Sequence, residues 1–475
     1  MNNTGYQYAY FLGIGGIGMS ALARYFHAQG VEVQGYDKTP TALTDALQAE
    51  GIAVQFDDTL DSLPAFVHEH PTATLFVYTP AIPAEHPQLQ YLKQGDFQLY
   101  KRSEVLGLIS RHACCIAVAG THGKTTTSSL IACLLDACGI NFTAFLGGIS
   151  ANFNNNYIHK TNGRDLFPDR PVVVLEADEF DRSFHRLNPD YAIITAIDPD
   201  HLDIYETKEA FTEAFVTFSS KIKPGGSLIV QQSLQQSWPE HVEVIRYGLN
   251  TSGQHPDCTA SPTNIQAGHF YFDYSGSYRN QTLTEQNLYC GLPGFHNIEN
   301  ATAALALVLN ILKLEPADVR KGLQLFAGVK RRFEYLVRQP DHTVIDDYAH
   351  HPEELRAILQ SVRALYPTSK LTAIFQPHLF TRTRDFAEGF AQTLATADEL
   401  ILMDIYPARE LPIPGIDSTW LLAQINHKDK KLMNHEAILD YVRNTKPELL
   451  LLLGAGDIDR LASPVKAIYE TAERN

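Results

Sequence analysis

The densest chemistry in the sequence is Gly120-Thr121-His122-Gly123-Lys124-Thr125-Thr126-Thr127, which follows the apolar run 114–119. A buried strand that breaks at glycine and restarts as a helix is the shape of a phosphate-binding loop. The glycines let backbone N–H groups approach an anion with no Cβ in the way. The helix that follows points its unpaired N–H groups and positive dipole end at the same place. Lys124 adds a mobile charge for the outer phosphates, and the Thr125 hydroxyl is placed to hold magnesium. Five residues before Gly123 the usual pattern asks for glycine; Val118 stands there, so the loop is a shortened variant.

Two further polar bursts end apolar runs. After residues 171–175 come Glu176, Asp178, Glu179 and Asp181. Four acids at one strand end repel each other unless a cation gathers them, which fits an acidic magnesium site facing the phosphate loop. After residues 191–196 come Asp198, Asp200, His201 and Asp203. His201 then sits on the same rim, where a neutral imidazole suits a second metal.

The N-terminal third carries Gly13-Ile-Gly15-Gly16-Ile-Gly18 between a short strand, 8–12, and a helix, with Asp37 closing the next strand. This fingerprint predicts a nucleotide diphosphate on the helix N-terminus. It leaves open whether the nucleotide is a nicotinamide cofactor or a UDP-sugar. Thr79-Pro80 forms a stiff turn at another strand's C-terminal end, where ligands of open α/β sheets sit. Near residue 300, Asn297 and Asn300 either cap a helix over 300–312 or contact an adenine.

The elements that must position these residues are α/β throughout. A chain of 475 residues exceeds one core, and the motifs divide it into residues 1–110, 111–327 and 328–475. In the last segment four strands end in Asp346-Asp347-Tyr348-Ala-His350-His351, in Gln376-Pro-His378, in Tyr406-Pro-Ala-Arg409 and in Gly454-Ala-Gly456-Asp457. That outlines the ligand rim of a second doubly wound sheet. Arg382, whose planar guanidinium matches phosphate oxygens, is the choice there for a transition-state contact. The Asn-rich tract that follows the glycine turn 145–152 reads as a mobile surface loop, and residues 241–290 as an antiparallel flap.

A formal net charge of −16 disfavours a nucleic-acid partner. The six cysteines form no C-x-x-C pair and read as buried thiols in a reducing compartment. No apolar run reaches membrane-spanning length, so the expected location is cytoplasmic, with no membrane partner.

Taken in order, 13–19, 120–127, Glu-Ala-Asp-Glu (176–179), Asp-His-Leu-Asp (200–203), His-Asn (296–297), Arg-Arg-Phe (331–333), Asp-Asp-Tyr-Ala-His-His-Pro (346–352) and Thr-Arg-Thr-Arg-Asp (381–385) resemble the Mur ligases over essentially the whole chain. The resemblance implies three domains: a Rossmann-like N-terminal one for a UDP-sugar, a central P-loop ATPase with a parallel sheet and a small antiparallel flap, and a C-terminal Rossmann-like one that closes over the site and excludes water. It implies ATP-dependent ligation of L-alanine to the lactyl carboxylate of UDP-N-acetylmuramate through an acyl phosphate. The sister activity, attaching an intact tripeptide in cell-wall recycling, is the alternative. A monomer or weak homodimer is expected.

The same resemblance assigns roles. Gly13, Gly15, Gly16, Gly18, Asp37, Thr79 and Pro80 would serve the UDP-sugar. Residues 120–126 with Asn297, Arg332 and Asp347 would serve ATP. Lys124 would stabilise the transferring phosphoryl, Thr125 and Glu176 would hold one magnesium, and His201 a second. Tyr348, His350, His378 and Arg382 would lie near the amino acid and phosphate. Two departures stand out. Leu379 occupies a position where many alanine-adding members carry arginine, so that contact is missing or supplied elsewhere. Phe215-Val216-Thr217 occupies the region where several sister ligases place a carbamylated lysine, which agrees with the alanine-adding branch.

Overall fold

The computed structural model describes residues 5–470 except 96, 199–201, 251–255, 267 and 409. His201, Asp200 and Arg409 therefore lie outside the described residues.

Three sheets organise the chain. The first has five parallel strands in the order Ala53–Gln55, Glu32–Tyr36, Tyr8–Leu12, Thr74–Tyr78, Leu99–Lys101. The chain turns outward in opposite directions from Tyr8–Leu12 and Thr74–Tyr78, so the crevice beyond their C-terminal ends is the topological switch point. The glycine turn and Thr79 both sit there.

The central sheet has ten strands, and its middle is parallel. Ser227–Gln231, Tyr191–Ile194, Cys114–Ala119, Val172–Glu176 and Phe142–Ser150 run side by side. Their near-continuous apolar sequences reflect burial on both faces. One edge is extended by the long strands Cys258–Gln266, His269–Tyr278 and Gln281–Tyr289, in the region read as a flap.

The third sheet has six strands in the order Glu334–Arg338, Thr343–Asp347, Leu449–Leu453, Leu371–Phe375, Glu399–Leu402, Lys430–Leu432. All pair in parallel except the first, so the four expected polar ends do share one rim. By contact density the chain forms two compact units. One runs to Ser261 and adds Asp273–Leu288 and Glu299–Phe326, and the other comprises Pro262–Phe272, Tyr289–Ile298 and the chain from Ala327 onward.

In the first unit a single apolar cluster joins the first sheet to the central one. Ala9, Phe11 and Val33 belong to the same cluster as Cys115, Phe145 and Tyr157. Tyr25 on helix Ile17–Ala28 meets Phe145 at 5.4 Å and Tyr157 at 6.4 Å between ring centroids.

The Asn-rich tract corrects the sequence reading. Residues 151–154 form a turn, but from Asn155 the tract is the edge strand Asn155–Lys160, antiparallel to Phe142–Ser150, and Asn156 is fully buried. Its amide donates to Ile17 O and to Ser20 Oγ at 3.1 Å, and its Oδ1 accepts from Arg24 at 2.7 Å. Arg24, itself 6% exposed, also forms a two-pronged ion pair with Glu50 at 2.7 and 2.8 Å. Asparagine sits here because only a side chain that both donates and accepts can satisfy a carbonyl and a guanidinium at one buried point.

The helix expected over 300–312 begins earlier, as Phe295–Leu305, and continues through a π-helical stretch, Ala306–Ile311. Asn297 lies inside this helix, and its amide donates back to Pro293 O at 2.7 Å, a local side-chain-to-backbone bond.

Asn156→Ala should lower the first urea-unfolding transition by about 1–3 kcal/mol, since it strands a buried carbonyl and part of a buried guanidinium. A change below about 0.5 kcal/mol would show that water replaces the amide without cost.

Candidate active site

The phosphate loop is positioned by its strand. Cys114–Ala119 is completely buried between Val172–Glu176 and Tyr191–Ile194, with Val118 level with Glu176 and Ala119 level with Ile194. The loop, the acidic strand end and Thr195 therefore emerge on one rim. Gly120 takes φ +132° and Gly123 φ +80°, in the region that disfavours side chains. A Cβ on Gly120 would fall 2.1 Å from Thr195 Oγ1, and one on Gly123 would fall 2.5 Å from Asn300 Oδ1. Both positions are filled from outside, so alanine is excluded twice over.

Side chains from the neighbouring strand hold the loop open. Thr195 Oγ1 donates to the carbonyl of His122, and Thr121 Oγ1 accepts from Asp198 N at 2.9 Å. His122 Nε2 lies 3.4 Å from the Asp198 carboxylate. Helix Lys124–Ala137 starts directly after Gly123 with Thr125 and Thr126 at its buried N-terminus.

Lys124 folds back over this turn. Its Nζ donates to Gly120 O at 2.5 Å and to Glu179 Oε1 at 2.8 Å. Burial alone would depress the lysine, but the carboxylates of Glu179 and Glu176 outweigh it and raise its pKa, so the ammonium stays charged.

The four acids at 176–181 are spread out rather than gathered. Glu179 pairs with Lys124, Asp178 with Arg102 at 3.2 Å and Asp181 with Lys101 at 3.5 Å, while Glu176 Oε2 accepts from Gly147 N at 2.9 Å. Three of the four thus meet a side-chain cation, and Glu176 meets a backbone N–H. Among the described residues no group of three or more His, Cys, Asp and Glu is placed to hold a metal ion.

The loop nevertheless fits a magnesium nucleotide. The turn leads straight into the N-terminus of helix Lys124–Ala137, and Glu179 Oε2 is buried with no hydrogen-bond partner. A threonine hydroxyl and one or two carboxylates are the hard oxygen ligands with which magnesium, keeping its waters and phosphates, is usually content.

A cleft of about 390 Å³ joins the two sheets of the first unit. Gly16, Gly18, Thr79 and Arg102 line it from the first sheet, and Gly147, Glu176 and Asp178 from the central one. The glycine turn is kept in shape by Asp37, whose Oδ2 accepts from Gly15 N at 2.8 Å. Asp37, expected to serve the UDP-sugar, here braces the turn.

The second unit collects its own cluster. Tyr348 packs under the guanidinium groups of Arg331 and Arg332, at 5.2 and 5.1 Å. Arg382, 8% exposed, has NH1 3.3 Å from His378 Nδ1, and the His378 ring stacks on Tyr406 at 5.7 Å. His350 lies 6.0 Å from His378 between ring centroids. Burial drives its pKa down to about 3, so the ring is neutral. With Nδ1 2.9 Å from Tyr348 O, the proton belongs on Nδ1 and Nε2 is left as an acceptor.

Asp347 accepts from Phe333 N at 2.7 Å and Ala349 N at 2.8 Å, fixing the Arg331–Phe333 turn. Asp346 is 2% exposed beside Arg331 at 3.2 Å. Burial pushes Asp346 up to about 7 and Asp347 up to about 6. Leu379, the departure noted above, takes φ +70° at the start of helix Phe380–Asp385 and donates its N–H to Tyr406 O at 2.9 Å. A leucine there carries backbone strain of about 1–3 kcal/mol.

Sequence reasoning overlooked Thr195 and Arg102. Nothing local distinguishes Thr195 from an ordinary strand-end threonine. Arg102 did leave a signal: it opens helix Arg102–Arg111, whose start is capped by Glu104. A cation in a helix's first turn opposes the dipole and calls for another reason.

Three family descriptions match successive parts of the chain: Mur ligase family, catalytic domain (residues 8–113), Mur ligase middle domain (118–308) and Mur ligase, glutamate ligase domain (331–456). The UDP-N-acetylmuramate--L-alanine ligase of Porphyromonas gingivalis is 45% identical over 464 residues, covering 97% of this chain and 99% of its own. Among solved structures, UDP-N-acetylmuramate-alanine ligase MurC of Thermotoga maritima superposes with a TM-score of 0.78 at 27% identity, over 98% of this chain and 99% of that one. A murein peptide ligase of Psychrobacter arcticus shares the fold with a TM-score of 0.67 at 22% identity, over 97% and 99%.

At pH values where the unfolded chain's aspartates are ionised, Asp346 still holds its proton. Its contribution to stability therefore falls as the pH rises from about 4 to about 7. His350 and Asp347 titrate in both proteins, so the comparison with Asp346→Asn isolates this group. The urea midpoint of the variant should gain on that of the original chain across this window. A difference independent of pH would refute the assignment.

Proposed function

Because this chain belongs to the Mur ligase family, we propose that it joins L-alanine to the lactyl carboxylate of UDP-N-acetylmuramate in a reaction driven by ATP. One observation carries the reading most strongly. The glycine turn for a nucleotide diphosphate and the acidic strand end beside the phosphate loop line the same cleft.

The carboxylate oxygen attacks the γ-phosphorus, the bond to ADP breaks, and an acyl phosphate forms. The alanine amine then attacks the acyl carbon, the C–O bond to phosphate breaks, and the amine's proton is released. Gly120 to Thr126 hold the phosphates with backbone N–H groups, and Lys124 exchanges Gly120 O for phosphate oxygens, where its charge opposes the developing negative charge. Thr125 and Glu176 would hold the magnesium, which when bound neutralises the phosphates. His201 is proposed for a second. Asn297, Arg332 and Asp347 are assigned to the nucleotide. Tyr348, His378 and Arg382 are assigned to the amino acid and phosphate. Neutral His350, with Nε2 as acceptor, would accept a hydrogen bond from the alanine amine and so orient it rather than carry charge.

Segments 1–110, 111–327 and 328–475 are proposed as the domains of sugar-nucleotide binding, ATP use and amino-acid addition. Among the described residues no helix is long and apolar enough to cross a membrane. A cytoplasmic monomer or weak homodimer, with no nucleic-acid partner, is the arrangement we propose.

Phosphate release from ATP and magnesium should need both UDP-N-acetylmuramate and L-alanine. Release with the intact tripeptide in place of alanine would transfer the chain to the recycling branch. Lys124→Ala should abolish release while UDP-N-acetylmuramate still binds, as followed by calorimetry; loss of both in a folded variant would contradict the division of labour.

A further inference from the structure

The cleft between the first and central sheets poses an electrostatic problem. Its walls carry the carboxylates of Glu176 and Asp178, in a chain of net charge −16, yet the ligand proposed for it carries a diphosphate. Arg102 is the one cation among the described residues that line it. Its guanidinium packs directly on the glycine turn, so closely that a Cβ on Gly18 would fall 2.4 Å from NH1. That glycine lies in the first turn of helix Ile17–Ala28, where unpaired N–H groups favour an anion. The same guanidinium reaches across to Asp178 Oδ2 at 3.2 Å, on the central sheet's side.

Arg102 keeps this place at a cost, because it opens its own helix at the end that repels cations. Its side chain is 24% exposed, buried enough for its charge to be felt and open enough to meet a ligand. A guanidinium has donors to spare for two partners in a planar fork.

We propose that Arg102, standing between the glycine turn and Asp178 at the acidic strand end of the central sheet, binds the diphosphate of the sugar nucleotide. It acts as a positioning residue. The inference rests on the sugar-nucleotide reading of the cleft. On binding, the diphosphate takes over donors that Asp178 uses in the free protein, so Asp178 competes with the ligand. A side chain at Gly18 would displace the guanidinium from the anion.

The test is calorimetric binding of UDP and of UDP-N-acetylmuramate, without ATP, to the full-length chain and to Arg102→Met, Arg102→Lys and Asp178→Asn. Arg102→Met should weaken both ligands by about tenfold or more, with weaker dependence on salt and ADP binding unchanged. Arg102→Lys should recover part of the loss. Asp178→Asn should tighten both ligands by about twofold or more, a gain that a purely structural ion pair would not give. Equal affinities for Arg102→Met and the original chain would overturn the proposal. So would a loss confined to UDP-N-acetylmuramate, which would move Arg102 to the lactyl carboxylate, or weakening by Asp178→Asn. If the original chain bound neither ligand, the reading of the substrate would fail instead.

Discussion

The arrangement depends on one constraint, the parallel pairing of Cys114–Ala119 between Val172–Glu176 and Tyr191–Ile194. Parallel strands begin and end together, so a single register delivers a glycine turn, a run of acids and a threonine-capped strand end to one rim. The buried strand has no polar side chain to spend on chemistry. Everything reactive lies within a few residues of its end, and the loop's shape is enforced by neighbours that fill the space a Cβ would take.

Charge compensation at that rim is local. Each carboxylate finds its own partner, and Lys124 is both the counter-ion of Glu179 and the group best placed to meet phosphate. An incoming nucleotide must therefore compete with internal contacts. Such competition keeps a highly charged pocket stable before its ligand arrives, because a buried ion without a partner costs several kcal/mol. In the second unit the same pressure is met differently: burial leaves His350 neutral and lets Asp346 and Asp347 hold protons well above the usual carboxylate range.

Much of this was legible in the sequence. Strands such as Tyr8–Leu12 and Leu371–Phe375 announced themselves as apolar runs closed by glycine or polar bursts, and the parallel sheets followed from their alternation with helices. The site residues that were readable lie in the turns immediately after those strands. What escaped depends on contacts between segments far apart in the chain. Asn156 looks like loop composition because its reason for being buried, Arg24 and the carbonyl of Ile17, lies more than 130 residues away. Arg102 reads as a boundary residue until Gly18 and Asp178 are seen on either side of it. Asn297 was legible as part of a motif, but the local bond its amide makes to Pro293 O was not.

The bond between Asn156 and helix Ile17–Ala28 has a consequence for anyone wishing to excise the N-terminal segment. A fragment cut after the first sheet would look complete by topology, with five paired strands and its glycine turn intact. It would nonetheless present Arg24 without Asn156, and Tyr25 without Phe145 and Tyr157, on an open face. A fragment that keeps that face sealed needs the edge strand Asn155–Lys160 and also Val172–Glu176, which pairs between Cys114–Ala119 and Phe142–Ser150.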